Sequence, residues 1–209
     1  MAQAAAQKGR RTQAERSAHT RRLLLDAALE CLEEKGYAGT TTTLVADRAG
    51  VSRGAQLHHY PTRAALVAAA IEHLFSGLTE EYGRVFASLS PARDRLGVAI
   101  DLLWSMFTKP SFAAVLELYV AARTDPELHA RLLPVADRHR GNVARLAVEY
   151  FPAAAAANPE FETVLMLILD TMHGMAVSRI VYGADAPTDA LLGKLRELAA
   201  ALFAESAAG

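Results

Sequence analysis

Cysteine is almost absent. Cys31 stands alone in 209 residues, which excludes a disulfide within the chain and leaves it the role of a small buried hydrophobe in a reducing compartment. Long apolar runs are missing as well: no uninterrupted stretch reaches the roughly 20 residues that cross a bilayer. The opening MAQAAAQKGRR has no apolar core of the kind a signal peptide carries. The expected location is the cytoplasm, with no membrane partner. The period-two alternation of half-buried strands is also missing, which points to an all-α protein. So are the GxSxG elbow, the phosphate-cradling glycine loop and HExxH. His58 and His59 are sequential and point apart on a helix; His129 and His139, ten residues apart, fall on different sides of theirs. No catalytic residue, metal site or cofactor is expected, and the chain reads as a non-enzyme.

What is present is unevenly distributed. The formal net charge is −1, yet residues 1–63 hold ten lysines and arginines against six carboxylates, while the remainder holds twelve against seventeen. A basic front on an acidic body turns one face toward phosphate. A chain of this length buries about 70% of the surface its unfolded form exposes and needs no covalent staples.

The organising stretch is TTTTLVADRAGVSRGAQLHHYPTR, residues 40–63. Thr40 or Thr41 caps a short helix with its hydroxyl, and Val45, Ala46 and Ala49 recur at helical spacing. Gly50 sits where a helix ends on a left-handed residue. Val51 turns back to the core, Ser52 caps a second short helix to about residue 59, Pro61 blocks its continuation and Thr62 caps a long third one. Helix, glycine turn, helix is the plan of a helix-turn-helix, whose second helix enters the DNA major groove. Arg53, Gln56, His58, His59, Tyr60, Thr62 and Arg63 supply partners for phosphates and base edges, and no carboxylate stands between Asp47 and Glu72.

AGVSRGAQLHHYPTRAAL, preceded by GYAGTTTTLVADR and a helix ending in EEKGY, resembles the signature of TetR-family transcriptional regulators over about residues 20–75. The resemblance implies that Thr41 and Thr42 open the helix that leans on the DNA backbone. It places Arg53, Gly54, Ala55, Gln56, His58 and His59 on the recognition helix and gives Arg63 a phosphate from the next one. Many members carry Leu-Tyr where this chain has Gln56-Leu57, and that tyrosine often touches DNA. Here Leu57 is expected to pack inward, leaving Gln56 and His58 to touch base edges, with Ser52 and Tyr60 beside them and Arg53, His59 and Arg63 on phosphates.

Taken in order, residues 1–17 read as a disordered tail, 18–70 as the helix-turn-helix domain and 71–209 as a larger effector-binding and dimerisation domain. A helix over 18–35 buries Leu24, Ala27, Ala28, Cys31 and Leu32. A helix from 63 to 87 is roughly 37 Å long and belongs to both domains, a mechanical lever between them. Further helices are expected over 91–108, 110–123, 126–150 with Pro134 kinking or dividing it, 159–182 and 188–204, with the AAAAANP stretch a connection. The 159–182 helix is apolar nearly all round and must be covered twice. Together with the last helix it suggests a four-helix homodimer interface using Ile168, Met175, Leu191, Leu195, Leu198 and Leu202. Trp104, Phe107, Tyr119, Met166, Met172 and His173 are the candidates for an effector pocket, since members of the family usually bind a small effector in the larger domain.

The expectation is an all-α protein in which an N-terminal three-helix helix-turn-helix domain is joined by a long helix to a larger helical domain. It acts as a ligand-responsive regulator, a repressor released from a pseudo-palindromic double-stranded operator by a small, largely apolar effector. The rival is an α-helical small-molecule carrier or enzyme that uses the apolar interior without touching DNA. The 40–63 segment discriminates, because an enzyme has no need of a basic, capped, tightly spaced helix pair.

Overall fold

The computed structural model describes residues 12–88 and 94–204, and among them the regular elements are all helical. They are α1 (Gln13–Gly39), α2 (Thr42–Arg48), α3 (Arg53–His59), α4 (Arg63–Ser88), α5 (Arg95–Phe107), α6 (Pro110–Ala122), α7 (Pro126–Tyr150), α8 (Pro152–Ala157), α9 (Phe161–Tyr182) and α10 (Thr188–Ala204), with a 3-10 turn at Gly183–Asp185.

The first helix begins at Gln13 rather than at residue 18. Thr12 and Glu15 form a capping box: the Glu15 amide donates to the Thr12 hydroxyl at 3.2 Å, and the Thr12 amide donates to the Glu15 carboxylate at 2.7 Å. Of the expected tail, residues 1–11 lie outside the described residues. The buried stripe is Leu24, Ala27, Ala28, Cys31 and Leu32, as the periodicity predicts. Gly36, at φ 66°, breaks the regular helix. A side chain there would be strained, and its Cβ would stand 2.6 Å from a carboxylate oxygen of Glu117 on α6.

Leu24, Ala28 and Cys31 of α1, Val45 of α2 and Leu66 and Ala70 of α4 make the core of a small N-terminal head. Val67, Ile71 and Phe75 of α4 join a second cluster with Val115 and Leu118 of α6 and Leu128 and Leu132 of α7. Tyr82 and Phe86 join a third with Ala99 of α5 and Leu146 of α7. One helix thus threads three cores. Any rigid displacement of α4 disturbs all three, because close-packed interiors transmit strain instead of absorbing it.

Two expectations along the chain change. Pro134 does not divide the seventh helix, which continues through it, and the alanine tract, expected as a connection, forms α8.

In the far end of the larger domain, Ile100 and Trp104 of α5 pack with Ile168, Met172, Met175 and Ala176 of α9 and Leu192, Leu195 and Ala199 of α10. Ile168, Met175 and Leu195, expected on a dimer interface, are therefore buried within the chain itself, where α10 packs on this side of α9. Leu191 and Leu198, seven residues apart, do face outward. So do Leu167, Val177 and Val181 of α9. The side chain of Leu202 lies outside the described residues. The span Phe161–Asp185 is long and apolar enough to cross a bilayer by length and composition alone, and 39% of the 18-residue window that qualifies it is buried inside the protein.

Candidate nucleic-acid interface and ligand cavity

The helix pair is built by its caps. The Thr41 hydroxyl accepts from the Leu44 amide at 3.1 Å, and the Ser52 hydroxyl from the Ala55 amide at 3.3 Å. Between them Gly50 takes φ 63°, and the Val51 amide closes back on the Ala46 carbonyl at 3.0 Å. Thr40 is buried, its hydroxyl donating to the Gly36 carbonyl at 2.8 Å. Arg48 ties α2 to α1 by a 2.6 Å ion pair with Glu34.

On α3 the inward and outward positions are the reverse of the expected ones. Gln56 is 0% exposed and Leu57 is 44% exposed. The Gln56 amide nitrogen donates to the Tyr60 carbonyl at 2.7 Å, and its Oε1 has no partner. Gln56 therefore does not read base edges. The reason is register. Val51 and Tyr60 both pack against the head core, and residue 56, one helical turn before Tyr60, must face the same way. A polar side chain takes the inward place on α3, and Leu57 takes the outward one.

The remaining outward positions are compatible with a DNA surface. Thr41, Ser52, Arg53, Gly54 and His58 are exposed, and Thr42, Ala55, His59 and Tyr60 half-buried. Burial pushes the His59 imidazole below its usual range, with repulsion from His58 and Arg21 adding to it. Arg21 of α1 is thereby placed close to the recognition helix, a basic residue on this side that spacing within 40–63 did not reveal.

Arg63 does not extend outward. Its guanidinium lies over the Tyr37 ring, 3.8 Å from the centroid, and donates to the Tyr37 carbonyl. Its role is in the joint between the head and the larger domain, not on a phosphate surface. Further hydrogen bonds fasten the joint. The Tyr37 amide donates to Glu117 of α6 at 2.8 Å, and the Tyr37 hydroxyl to Asp125, the N-cap of α7, at 3.2 Å. Asp125 also accepts from the Leu128 amide at 3.0 Å; that bond, and then the tyrosine hydroxyl, hold its carboxyl below the usual range. Thr62 caps α4, accepting from Ala65 at 3.1 Å while donating to Glu127 of α7 at 2.7 Å.

The same two helices, α6 and α7, wall a cavity of about 380 Å³ on the other side. It lies among α4, α5, α6, α7 and α9 and is largely apolar: Phe75, Leu78, Phe107, Phe112, Val115 and Leu169 are in its lining. This is within the size range of small-molecule sites. Of the expected pocket residues, Phe107, Tyr119 and His173 line it. Trp104 and Met172 do not; they are consumed by the α5–α9–α10 core. Met166 is half-buried on α9 and outside the lining. The His173 Nδ1 sits 2.8 Å from the Leu169 carbonyl, to which it donates. Its ring meets Phe107 edge-to-face at 4.6 Å.

Among the polar residues of the cavity that sequence reasoning missed are Tyr82 and His139. Both line this cavity and a smaller chamber of about 60 Å³ beside it. The Tyr82 hydroxyl and the His139 Nδ1 are buried without a hydrogen-bond partner. His139 stacks on Phe75, centroids 3.8 Å apart, and burial, with His173 adding repulsion, pushes its imidazole down to about 4. It is neutral at physiological pH. Burial drives the Tyr82 phenol well up, so it too stays neutral. The mouth carries an exposed 3.3 Å pair between Arg140 and Asp170. Among the described residues no three or more His, Cys, Asp or Glu are grouped to hold a metal ion.

A capped helix-turn-helix head coupled to an all-helical domain is the architecture of a DNA-binding transcriptional regulator. Residues 24–70 match the family described as bacterial regulatory proteins, tetR family. The chain is 38% identical over 168 residues to the HTH-type transcriptional regulator CymR of Pseudomonas putida, covering 80% of this chain and 83% of the relative. Among solved structures it is similar to the multidrug binding protein EbrR complexed with ethidium (TM-score 0.65, 25% identity, 88% of this chain and 97% of that one). It is also similar in fold to FadR from Bacillus subtilis in complex with stearoyl-CoA (TM-score 0.65, 17% identity, 85% and 96%). The chain belongs to the TetR family of bacterial transcriptional regulators.

Proposed function

We propose that this regulator is a cytoplasmic, homodimeric repressor that leaves a pseudo-palindromic operator when a small, largely apolar molecule enters the 380 Å³ cavity. The observation that carries the reading is the sharing of α6 and α7 between cavity and head. Phe112, Val115 and Tyr119 of α6 and His139 and Val143 of α7 line the cavity, while Glu117, Asp125 and Glu127 on the same helices hold Tyr37 and Thr62. A ligand that shifts α6 against α7 moves the points to which the head is fastened. The effector must bind the DNA-incompetent arrangement better; equal affinity for both would shift nothing.

Occupancy by a neutral molecule with one hydrogen-bonding group fits the lining. The Tyr82 hydroxyl and the His139 Nδ1 are buried, unpartnered polar groups of residues in a largely apolar lining, and a ligand oxygen bonded to either would offset the cost of leaving it unsatisfied. A cavity of about 150 Å³ admits benzene, so two fused rings fit here. The relatives solved with ethidium and stearoyl-CoA support a ligand role for this domain.

Dimerisation would use the outward faces of α9 and α10. Leu167, Gly174 and Val181 recur every seven residues on α9, and Leu191 and Leu198 do so on α10. The leucines and Val181 are exposed apolar side chains, and nothing stands within 4 Å of a Cβ built on Gly174, so a partner helix can approach closely. Two such subunits would set their α3 helices in successive major grooves, about 34–36 Å apart.

The test is fluorescence anisotropy of the purified chain on the DNA flanking its own gene against a scrambled duplex. Specific binding that 2-naphthol reverses at lower concentration than naphthalene, with the difference lost in Tyr82→Phe, supports the whole scheme. Equal, salt-sensitive binding to both duplexes overturns operator recognition at that site. Specific binding that Tyr82→Phe leaves equally sensitive to both compounds overturns the cavity assignment.

A further inference from the structure

Leu57 is the one large apolar side chain exposed on α2 or α3 among the described residues. It stands on the outward face of the recognition helix one turn after Arg53 and Gly54, and nothing lies within 4 Å of a Cβ built on Gly54. The helix surface beside Leu57 is therefore low, and the leucine protrudes from it. The amide that would otherwise read adenine is not available, since Gln56 is turned into the core and bonded to the Tyr60 carbonyl.

Base edges in the major groove offer donors, acceptors and one apolar group, the 5-methyl of thymine. A leucine held at this point of a groove-facing helix has no use for the donors and acceptors. It loses contact with water on docking, and that loss is favourable only if an apolar group meets it. We infer that Leu57 reads thymine in each half-site by contact with its 5-methyl group, taking the place of hydrogen-bonded readout at this position. The inference rests on the helix-turn-helix docking proposed above.

The thymine methyl can be removed without touching base pairing by replacing thymidine with deoxyuridine. A duplex is first selected from a random-sequence pool with the full-length protein, and each thymine in it is then replaced singly. Burying one methyl-sized group contributes a factor of about four in affinity. One thymine per half-site should therefore show about a fourfold loss for the unaltered protein. Replacing the symmetric pair together should give roughly fifteenfold. Leu57→Ala, at an exposed site where the fold is unaffected, should bind the selected duplex more weakly and be indifferent to the same replacements, with an unchanged thermal midpoint.

A tightly bound selected duplex that tolerates deoxyuridine everywhere overturns the thymine contact and leaves the regulator reading intact. So does Leu57→Ala remaining as sensitive as the parent. Failure to enrich any duplex overturns docking through α3 itself, and the inference with it.

Discussion

The guanidinium of Arg63 lies over the Tyr37 ring, 3.8 Å from its centroid, and donates to the carbonyl of the same residue. The start of α4 is thus clamped to the end of α1, at the place where Glu117, Asp125 and Glu127 reach in from the larger domain. A stacked, forked contact of this kind is specific to arginine. Arg63→Lys should keep the charge but lose the planar stacking, destabilising the head by about 1–2 kcal/mol, seen as a lower urea midpoint. Because the side chain is engaged within the protein, Arg63→Ala should leave the log–log salt slope of DNA binding unchanged. A slope flattened by about one unit would return Arg63 to the phosphate surface.

Gln56 offers a sharper test of register. Its amide donates to the Tyr60 carbonyl from a site with no exposure. Gln56→Glu would set a carboxylate against that carbonyl oxygen, and the acid's folded-state pKa would rise above its unfolded value of about 4.3. The protonated acid can still donate to Tyr60. The variant should therefore be near parental stability at acid pH and lose it as pH rises toward the raised pKa, by several kcal/mol at pH 8. Chemical denaturation at pH 5 and pH 8 checks this. Parental stability at both pH values would mean the side chain points outward after all.

Much of the molecule was legible from residue chemistry. The N-caps at Thr41 and Ser52, the left-handed Gly50 and the Leu24–Leu32 stripe each rest on local rules, and each is in place. The reading face of α3 was not. A two-turn helix has too few positions for a periodicity to declare itself, and hydropathy buries leucine before glutamine. Here the backbone phase, pinned by Val51 and Tyr60 against the core, decided the other way. The pocket failed for a different reason. Trp104, Met166 and Met172 carry pocket-like chemistry, but which side of α5 and α9 meets α10 is a tertiary fact. Tyr82 and His139 were passed over because a lone polar residue on a long helix carries no local signal of the cavity beside it.

His139 links the cavity to acid stability. Its imidazole titrates near 4 in the folded chain, because burial disfavours the charged form, against about 6.5 when unfolded. Between those values the unfolded state binds the extra proton. Stability should therefore fall as pH drops from about 6.5 to 4, by roughly 3 kcal/mol at the lower end, and be unaffected by this group above about 7. His139→Phe should flatten that part of the stability–pH curve while keeping the stack on Phe75. An unaltered curve would place the acid sensitivity elsewhere.

The two sides of the α9–α10 pair separate folding from assembly. Leu195 is packed inside the subunit with Trp104 and Met172. Leu195→Glu should bury an unpaired charge and unfold the domain, with loss of helical circular dichroism. Val181 is 71% exposed and Leu167 61% exposed on the outward face. A glutamate at either costs the isolated subunit little, but in a symmetric dimer each subunit contributes the same patch, so the substitution appears on both sides of the interface. Leu167→Glu and Val181→Glu should accordingly give well-folded monomers by light scattering, with operator affinity falling because the two reading heads are no longer joined. Dimers that persist in both variants would move the interface off this face, and the spacing of the half-sites would then have to be derived from another pair of helices.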